Sequence, residues 1–177
     1  DTGKERDYNF AYNILEENAS DAIDINNRSK EKAKDIACVI TENITCGNGY
    51  VNGESTPDGS GIVTLINVSN VLIYKNEAYR NNRPAIYVES CGVILGKENW
   101  ADNQVEITLD LEELLLEKNR FSSINLIANT KAQKIHLRNN ELGSLSLPND
   151  IQVAQFTIEN NTFSHANFNL NLKGKIE

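Results

Sequence analysis

The sequence predicts an all-β chain wound into a solenoid, a rod of short strands stacked turn upon turn. Two observations predict it. One template, apolar-x-apolar-x-x-Asn-x-apolar, recurs seven times along 177 residues. The chain also holds 26 Asn, well above average usage, and many of them fall at fixed places in that template. A repeat of this length is one supersecondary unit, and it takes precedence over local propensity.

The repeats run in order. The template reads Tyr8, Phe10, Asn13, Leu15, then Cys38, Ile40, Asn43, Thr45, then Val71, Ile73, Asn76, Ala78. The fourth copy reads Val93, Leu95, Glu98, Trp100, with Glu98 in the Asn place and Asn99 beside it. The last three are Leu114, Leu116, Asn119, Phe121; Ile135, Leu137, Asn140, Leu142; and Phe156, Ile158, Asn161, Phe163. Steps between the Asn places are 30, 33, 22, 21, 21 and 21 residues.

Each unit carries a second alternating run: Ile23/Ile25, Ile62/Thr64, Ile86/Val88, Ile107/Leu109, Ile124/Leu126, Leu145/Leu147 and Phe168/Leu170. Alternation of period two marks strands with one face buried. Each unit therefore holds about two strands around an Asn-bearing turn. Asn suits such a turn because it tolerates left-handed backbone and bonds neighbouring main chain. Stacked units also stack the Asn side chains, whose amides can form a ladder. Seven rungs at a strand spacing of ~4.8 Å give a rod roughly 30–35 Å long. The long early steps read as two insertions, the charged Asn26–Asp35 and the Gly-rich Gly47–Ser60.

Two solenoids compete for this pattern. A leucine-rich repeat fits the last three rungs, as in Ile135-x-Leu137-x-x-Asn140-x-Leu142-x-x-Leu145. The early rungs place Asn18, Asn48, Asn81 and Asn103 where that repeat needs Leu, and they lack a convex helical segment. The fold class expected is thus a right-handed parallel β-helix of about seven rungs, 21–22 residues each, with two loop insertions. Asp110–Lys118 has helix-forming composition, but the repeat register makes Leu114 and Leu116 strand positions.

Composition excludes other classes. No stretch approaches the ~18 apolar residues of a membrane span. A net charge of -8 argues against a nucleic-acid partner bound through its phosphates. Cys38, Cys46 and Cys91 match no zinc spacing and read as inert thiols. Five Asn-x-Ser/Thr sequons, at Asn18, Asn27, Asn43, Asn67 and Asn160, are what so Asn-rich a chain contains by chance.

The segments ENASDAIDI (Glu17–Ile25), VITENITCGNG (Val39–Gly49), NVLIYKNEAYRNNRPAIYV (Asn70–Val88) and FTIENNTF (Phe156–Phe163) resemble right-handed β-helix proteins of the pectate-lyase-like superfamily. That superfamily includes polysaccharide lyases, polygalacturonase-type hydrolases, epimerases, phage tailspikes and adhesins. The resemblance implies a secreted or cell-surface protein that binds, and in its enzymatic members processes, an acidic or complex polysaccharide. The alternatives are a non-catalytic adhesion scaffold with a protein partner and a leucine-rich-type interaction module.

A β-helix has two open ends, which are normally covered. Residues 1–7 and Lys173–Glu177 are too short to serve. The expectation is a single β-helix domain over residues 1–177, forming part of a larger protein or capped by a partner chain. A column of outward apolar residues, Val39, Leu72, Ile94 and Leu115, is expected to be covered or to form an interface.

The outward column of the second strand is read as Asp24, Val63, Tyr87 and Thr108, with Asn26, Leu65, Glu89 and Asp110 behind it. A carboxylate beside an aromatic ring suits a sugar, which offers an apolar ring face and a rim of hydroxyls. Arg80 and Arg83 in the preceding turn can grip a uronate carboxylate. Expected substrate contacts are therefore Arg80, Tyr87 and Glu89. In the catalytic form of this reading, Asp24 and Arg83 carry the proton transfers, and Asp21 with Asp24 hold Ca²⁺. Two departures from the enzymes weigh against catalysis. Val63 stands where a lyase-like Lys is expected, and Gly47-Asn48-Gly49 stands where a hydrolase pairs its carboxylates. The histidines, His136 and His165, lie on late rungs far from Asp24 and read as surface residues.

Overall fold

The structure is a computed structural model that describes residues 8–26, 37–148, 150–165 and 175–176. It is an all-β parallel solenoid of about five turns. No helix occurs among the described residues, and none is long and apolar enough to cross a membrane.

Each turn presents three strand faces rather than the two expected. The first face stacks Tyr8–Ala11, Ala37–Thr41, the end of Val63–Tyr74, the end of Ile86–Lys97, Leu111–Glu117, Lys131–Arg138, Gln152–Glu159 and Lys175–Ile176, all parallel. The second stacks Ile14–Glu16, Ile44–Cys46, Glu77–Tyr79, Trp100–Ala101 and the starts of Arg120–Leu126 and Glu141–Ser146, ending at Thr162–Phe163. The third stacks Asp24–Asn26, the starts of Val63–Tyr74 and Ile86–Lys97, Val105–Ile107 and the end of Arg120–Leu126. Short strands whose ends run into one another had merged the second and third faces in the sequence pattern.

The core is a column of aliphatic side chains, one inward layer per turn. Ile40, Ile73, Ile94, Leu116 and Ile135 are sealed in it. Leu111–Glu117 is a strand with Leu114 and Leu116 buried, as the repeat register requires. The 47–60 insertion leaves the coil as an antiparallel hairpin, Tyr50–Val51 with Glu54–Ser55, turning on Asn52-Gly53 at positive φ. The other expected insertion lies outside the described residues after Asn26, as do the Phe168/Leu170 run and residues 1–7.

The asparagine ladder forms. Asn13, Asn43, Asn76, Asn99, Asn119, Asn140 and Asn161 each pass a side-chain amide hydrogen to the Oδ1 of the next, or receive one, at 2.8–3.1 Å. The same Oδ1 also accepts the backbone N–H of the Asn one turn before, as in Asn43 N to Asn76 Oδ1 at 3.0 Å. The second amide hydrogen reaches a carbonyl of the preceding turn, as from Asn76 to Ile40 at 2.8 Å. Five intervals of this ladder, from Asn43 to Asn161, are the five turns. The coil of about five turns is slightly shorter than the seven rungs expected.

Three corrections follow from this ladder. The fourth Asn place belongs to Asn99, not Glu98. The register of that rung therefore shifts by one, and such a shift exchanges the buried and exposed faces. Ile94 points inward and is fully buried, while Leu95 faces out at 40 % exposure. The shift was hidden because the second inward place is Gly96. Its missing side chain makes room for Leu116, whose Cδ2 would stand 2.6 Å from a Cβ there. The left-handed backbone, moreover, falls on the residue before each ladder Asn: Tyr12, Glu42, Lys75, Glu98, Lys118, Asn139 and Asn160 have φ between 51° and 59°. The Asn itself is needed for its side-chain bonds and not for its tolerance of that conformation.

A shorter ladder marks the next corner. Asn18 donates to Asn48 Oδ1 at 2.8 Å and Asn48 to Asn81 Oδ1 at 2.9 Å. Asn103 leaves the series and instead donates to the Arg83 carbonyl at 2.7 Å.

The outward apolar column of the first face is Val39, Leu72, Leu95 and Leu115, followed by His136 and Thr157. Leu72 and Leu95 are its exposed members, at 38 % and 40 %. Cys38, Cys46 and Cys91 form no disulfide.

Candidate functional site

The third face carries the site. Its true outward column is Asp24, Thr64, Tyr87 and Glu106. Val63 and Leu65, expected in the outward columns, are fully buried, and Leu109, expected inward, is 54 % exposed. At Val63 and Leu65 the alternation was read one residue out of step, and Leu109 lies past the end of the strand Val105–Ile107.

Beside this column, Asp21, Asp24, Asp58, Arg83, Tyr87 and Glu89 close around a cleft of about 190 Å³. Five of these residues were expected at a site from the sequence: Asp21, Asp24, Arg83, Tyr87 and Glu89. Their convergence depends on the insertion 47–60, which returns to the coil at a narrow neck. There the backbones of Gly49 and Gly59 meet, with φ of 83° and 122°. No residue with a Cβ fits so close an approach at those angles. The neck delivers Asp58 to the rim of the cleft.

Asp21 has a structural role in this arrangement. Its Oδ1 accepts the backbone N–H groups of Gly59 and Ser60 at 3.0 and 2.5 Å. Beneath it, Ser60 and Thr64 share a hydroxyl hydrogen bond of 2.6 Å. Arg83 is equally committed. Its guanidinium donates to the Pro57 carbonyl and lies 5.1 Å from the centre of the Tyr87 ring. It thereby clamps the insertion to the third face and covers one side of the ring. The Tyr87 hydroxyl donates to Glu89 Oε1 at 3.5 Å.

Among the described residues, neither Asp24 nor Asp58 has such a bond at its carboxylate, the Asp58 bonds going to its backbone carbonyl. Partial burial pushes the Asp24 carboxyl above the ordinary aspartate range, and the charges of Asp21, Asp58 and Glu89 push it the same way. The cleft thus gathers four carboxyl groups around one engaged guanidinium. Among the described residues no group of three or more His, Cys, Asp or Glu side chains is arranged to hold a metal ion.

Arg80 lies elsewhere. Its backbone is left-handed, its N–H donates to Asp102 Oδ2 at 2.9 Å, and its guanidinium stands over Tyr79, 5.8 Å from the ring centre, beside the Cys46 thiol. It belongs to the second face and does not line the cleft. Neither histidine lines it.

Sequence reasoning missed Asp58, Ser60 and Thr64. Asp58 had a signal, since it sits between Pro57 and Gly59 in a turn of the insertion, close in sequence to the acidic cluster it joins. Thr64 had none until the register was known. A larger groove, about 890 Å³, lies along the later turns between Val93, Glu113, Lys134 and Val153. Its Lys134 and Glu113 are paired at 3.2 Å, and it gathers none of the expected site residues.

No protein-family model, curated protein or solved structure matches this chain.

Proposed function

We propose that this protein is a carbohydrate-binding β-solenoid that engages a complex polysaccharide at the Asp24 cleft. The carrying observation is the meeting of an aromatic ring, Tyr87, with Asp24, Asp58 and Glu89 in one cleft held by Arg83. Carboxylates accept hydrogen bonds from sugar hydroxyls, and a tyrosine ring meets the C–H face of a pyranose. The kinship proposed with pectate-lyase-like proteins rests on the parallel coil and its ladder of Asn. The reading places the protein outside the cell, where such polymers lie.

The charge in the cleft favours a neutral or amino sugar over a uronate. An acidic chain enters this reading only with a cation such as Ca²⁺ bridging Asp24 and the substrate carboxylate. If the chain is cleaved, Asp24 is the proton donor, because its raised carboxyl holds a proton more readily than an ordinary aspartate. Arg83 then orients the site and does not move protons. A second reading, a non-catalytic scaffold that binds a protein, is favoured by the exposed Leu72 and Leu95 of the first face.

The test is a panel of neutral, amino and acidic polysaccharides, with and without Ca²⁺. Binding is read by calorimetry, and cleavage by reducing ends and unsaturated-product absorbance. Binding of at least one polymer, weakened about tenfold by Tyr87→Ala, is expected. Absence of binding across the panel, or binding indifferent to both Tyr87→Ala and Asp24→Asn, overturns the reading.

A further inference from the structure

The second face carries an aromatic groove that the Asp24 cleft does not use. Trp100, Arg120, Glu141 and Thr162 stand in one outward column on successive turns. They border a groove of about 400 Å³ floored by Ser122, Gly143 and Ser164. The floor is shallow in side chain because the Ser122 carbonyl packs on Gly143 so closely that a Cβ there would run into it. Trp100 is half-buried, and its ring centre lies 6.2 Å from that of Tyr79, tilted by 44°. The Arg120 and Glu141 side chains approach to 3.7 Å yet remain 68 % and 70 % exposed.

We propose that this groove binds a neutral oligosaccharide. Three properties point to that class. The charges at the rim, Arg120 against Glu141 and Asp102, leave no positive excess for an anion such as a uronate or phosphate. The lining sets the Ser122 and Ser164 hydroxyls beside Trp100, Phe121 and Leu142, a mixed surface on which a purely apolar peptide or lipid would leave polar groups unpaired. A sugar ring matches both features, because its C–H face meets the indole, while the open Arg donor and Glu acceptor both serve its hydroxyls. Turns stacked at ~4.8 Å carry the groove along the axis for about 10 Å from Trp100 to Glu141, enough for more than one ring. The site uses different residues from the Asp24 cleft, on another face, and stands or falls independently of it.

Trp100 is the only tryptophan in the chain, so intrinsic fluorescence reports this groove directly. Full-length protein is titrated with neutral oligosaccharides of glucose, mannose, xylose and N-acetylglucosamine, each in graded lengths, and with oligogalacturonate. A saturable change in Trp100 emission with one neutral series is expected, tighter for longer chains. Arg120→Ala and Glu141→Ala should each weaken it about tenfold with the melting temperature unchanged, since both side chains are surface groups. Tyr87→Ala should leave it intact. Four results overturn the proposal: no saturable change with any neutral series, tighter binding of oligogalacturonate, a response indifferent to both groove substitutions, or one abolished by Tyr87→Ala.

Discussion

Asn76 stands mid-ladder with no exposed surface, and its side chain makes bonds in both directions along the rod. Its Oδ1 accepts from the backbone and side-chain amides of Asn43, and its own amide donates to Asn99 Oδ1 and the Ile40 carbonyl. Truncation takes the Oδ1 acceptor from the Asn43 donors and the amide donor from the enclosed Ile40 carbonyl, while Asn99 Oδ1 keeps only the Asn76 backbone N–H. Each such group costs about 1–3 kcal/mol when buried unsatisfied. Asn76→Ala is therefore expected to lower stability by roughly 3 kcal/mol or more, measured as a fall in the urea midpoint at unchanged slope. A loss under about 0.5 kcal/mol would mean that water enters the ladder and replaces the side chain. At the cleft, Asp24 gives the opposite sign. Its carboxyl is raised in the folded state, so the folded chain binds that proton more tightly than the unfolded one. Ionised Asp24 disfavours folding at pH above the raised value. That penalty fades as pH falls through it and is gone below the ordinary aspartate range. Asp24→Asn should thus melt higher than the native protein at pH 7 and equally at strongly acid pH. A variant that melts lower at neutral pH would show Asp24 to be a structural acceptor instead.

At the scale of the element, the strands Val63–Tyr74 and Ile86–Lys97 are the longest in the coil, at 12 residues each, and they turn the corner from the third face to the first. The pairing shifts register between Val88 and Cys91, where the corner bends. Gly92 follows directly. A side chain on it would run into the Ser69 carbonyl of the neighbouring strand. Its φ is not left-handed, so the demand here is for room. Gly92→Ala must push the neighbouring backbones apart at a packed corner, with an expected cost of about 1–3 kcal/mol, readable by thermal melting. An unchanged melting temperature would show that the corner can flex. The same elements show what local pattern conveys and what it leaves out. Alternation identified Ile86–Val88 and Ile124–Leu126 as buried runs, because bulky aliphatics at period two have one use on a half-covered strand. It misassigned Val63, Leu65 and Ile94, because each of these long strands bends from one face to the next and the alternation does not carry its phase across the corner, and Leu109, which lies past the end of Val105–Ile107. A glycine at an inward place, as at Gly96, interrupts the alternation as well.

Across the whole molecule, the sequence by itself determined the solenoid. A unit of about 21 residues cannot bury its own apolar face. Asn at one place per turn is of little use to an isolated strand, but it satisfies four backbone and side-chain partners in a stack. The repeat thus carried parallel stacking, the ladder and the strand assignment of Leu111–Glu117. It also marked Asp21, Asp24, Arg83, Tyr87 and Glu89 as candidates, through residue chemistry near an insertion. Only the tertiary structure decided which of these meet and what each does. It turned Arg80 to another face, tied Asp21 to the neck of the insertion and engaged Arg83 with Pro57 and Tyr87. It brought in Asp58 and uncovered the Trp100 groove. The reason is physical. Repeat spacing records which residues share a level of the rod, since strand pairing repeats every turn. The direction of a side chain around that level depends on the phase of each short strand and on how each corner bends. Those are set by packing between turns, through contacts such as Leu116 over Gly96 and Gly49 against Gly59, which no single unit contains.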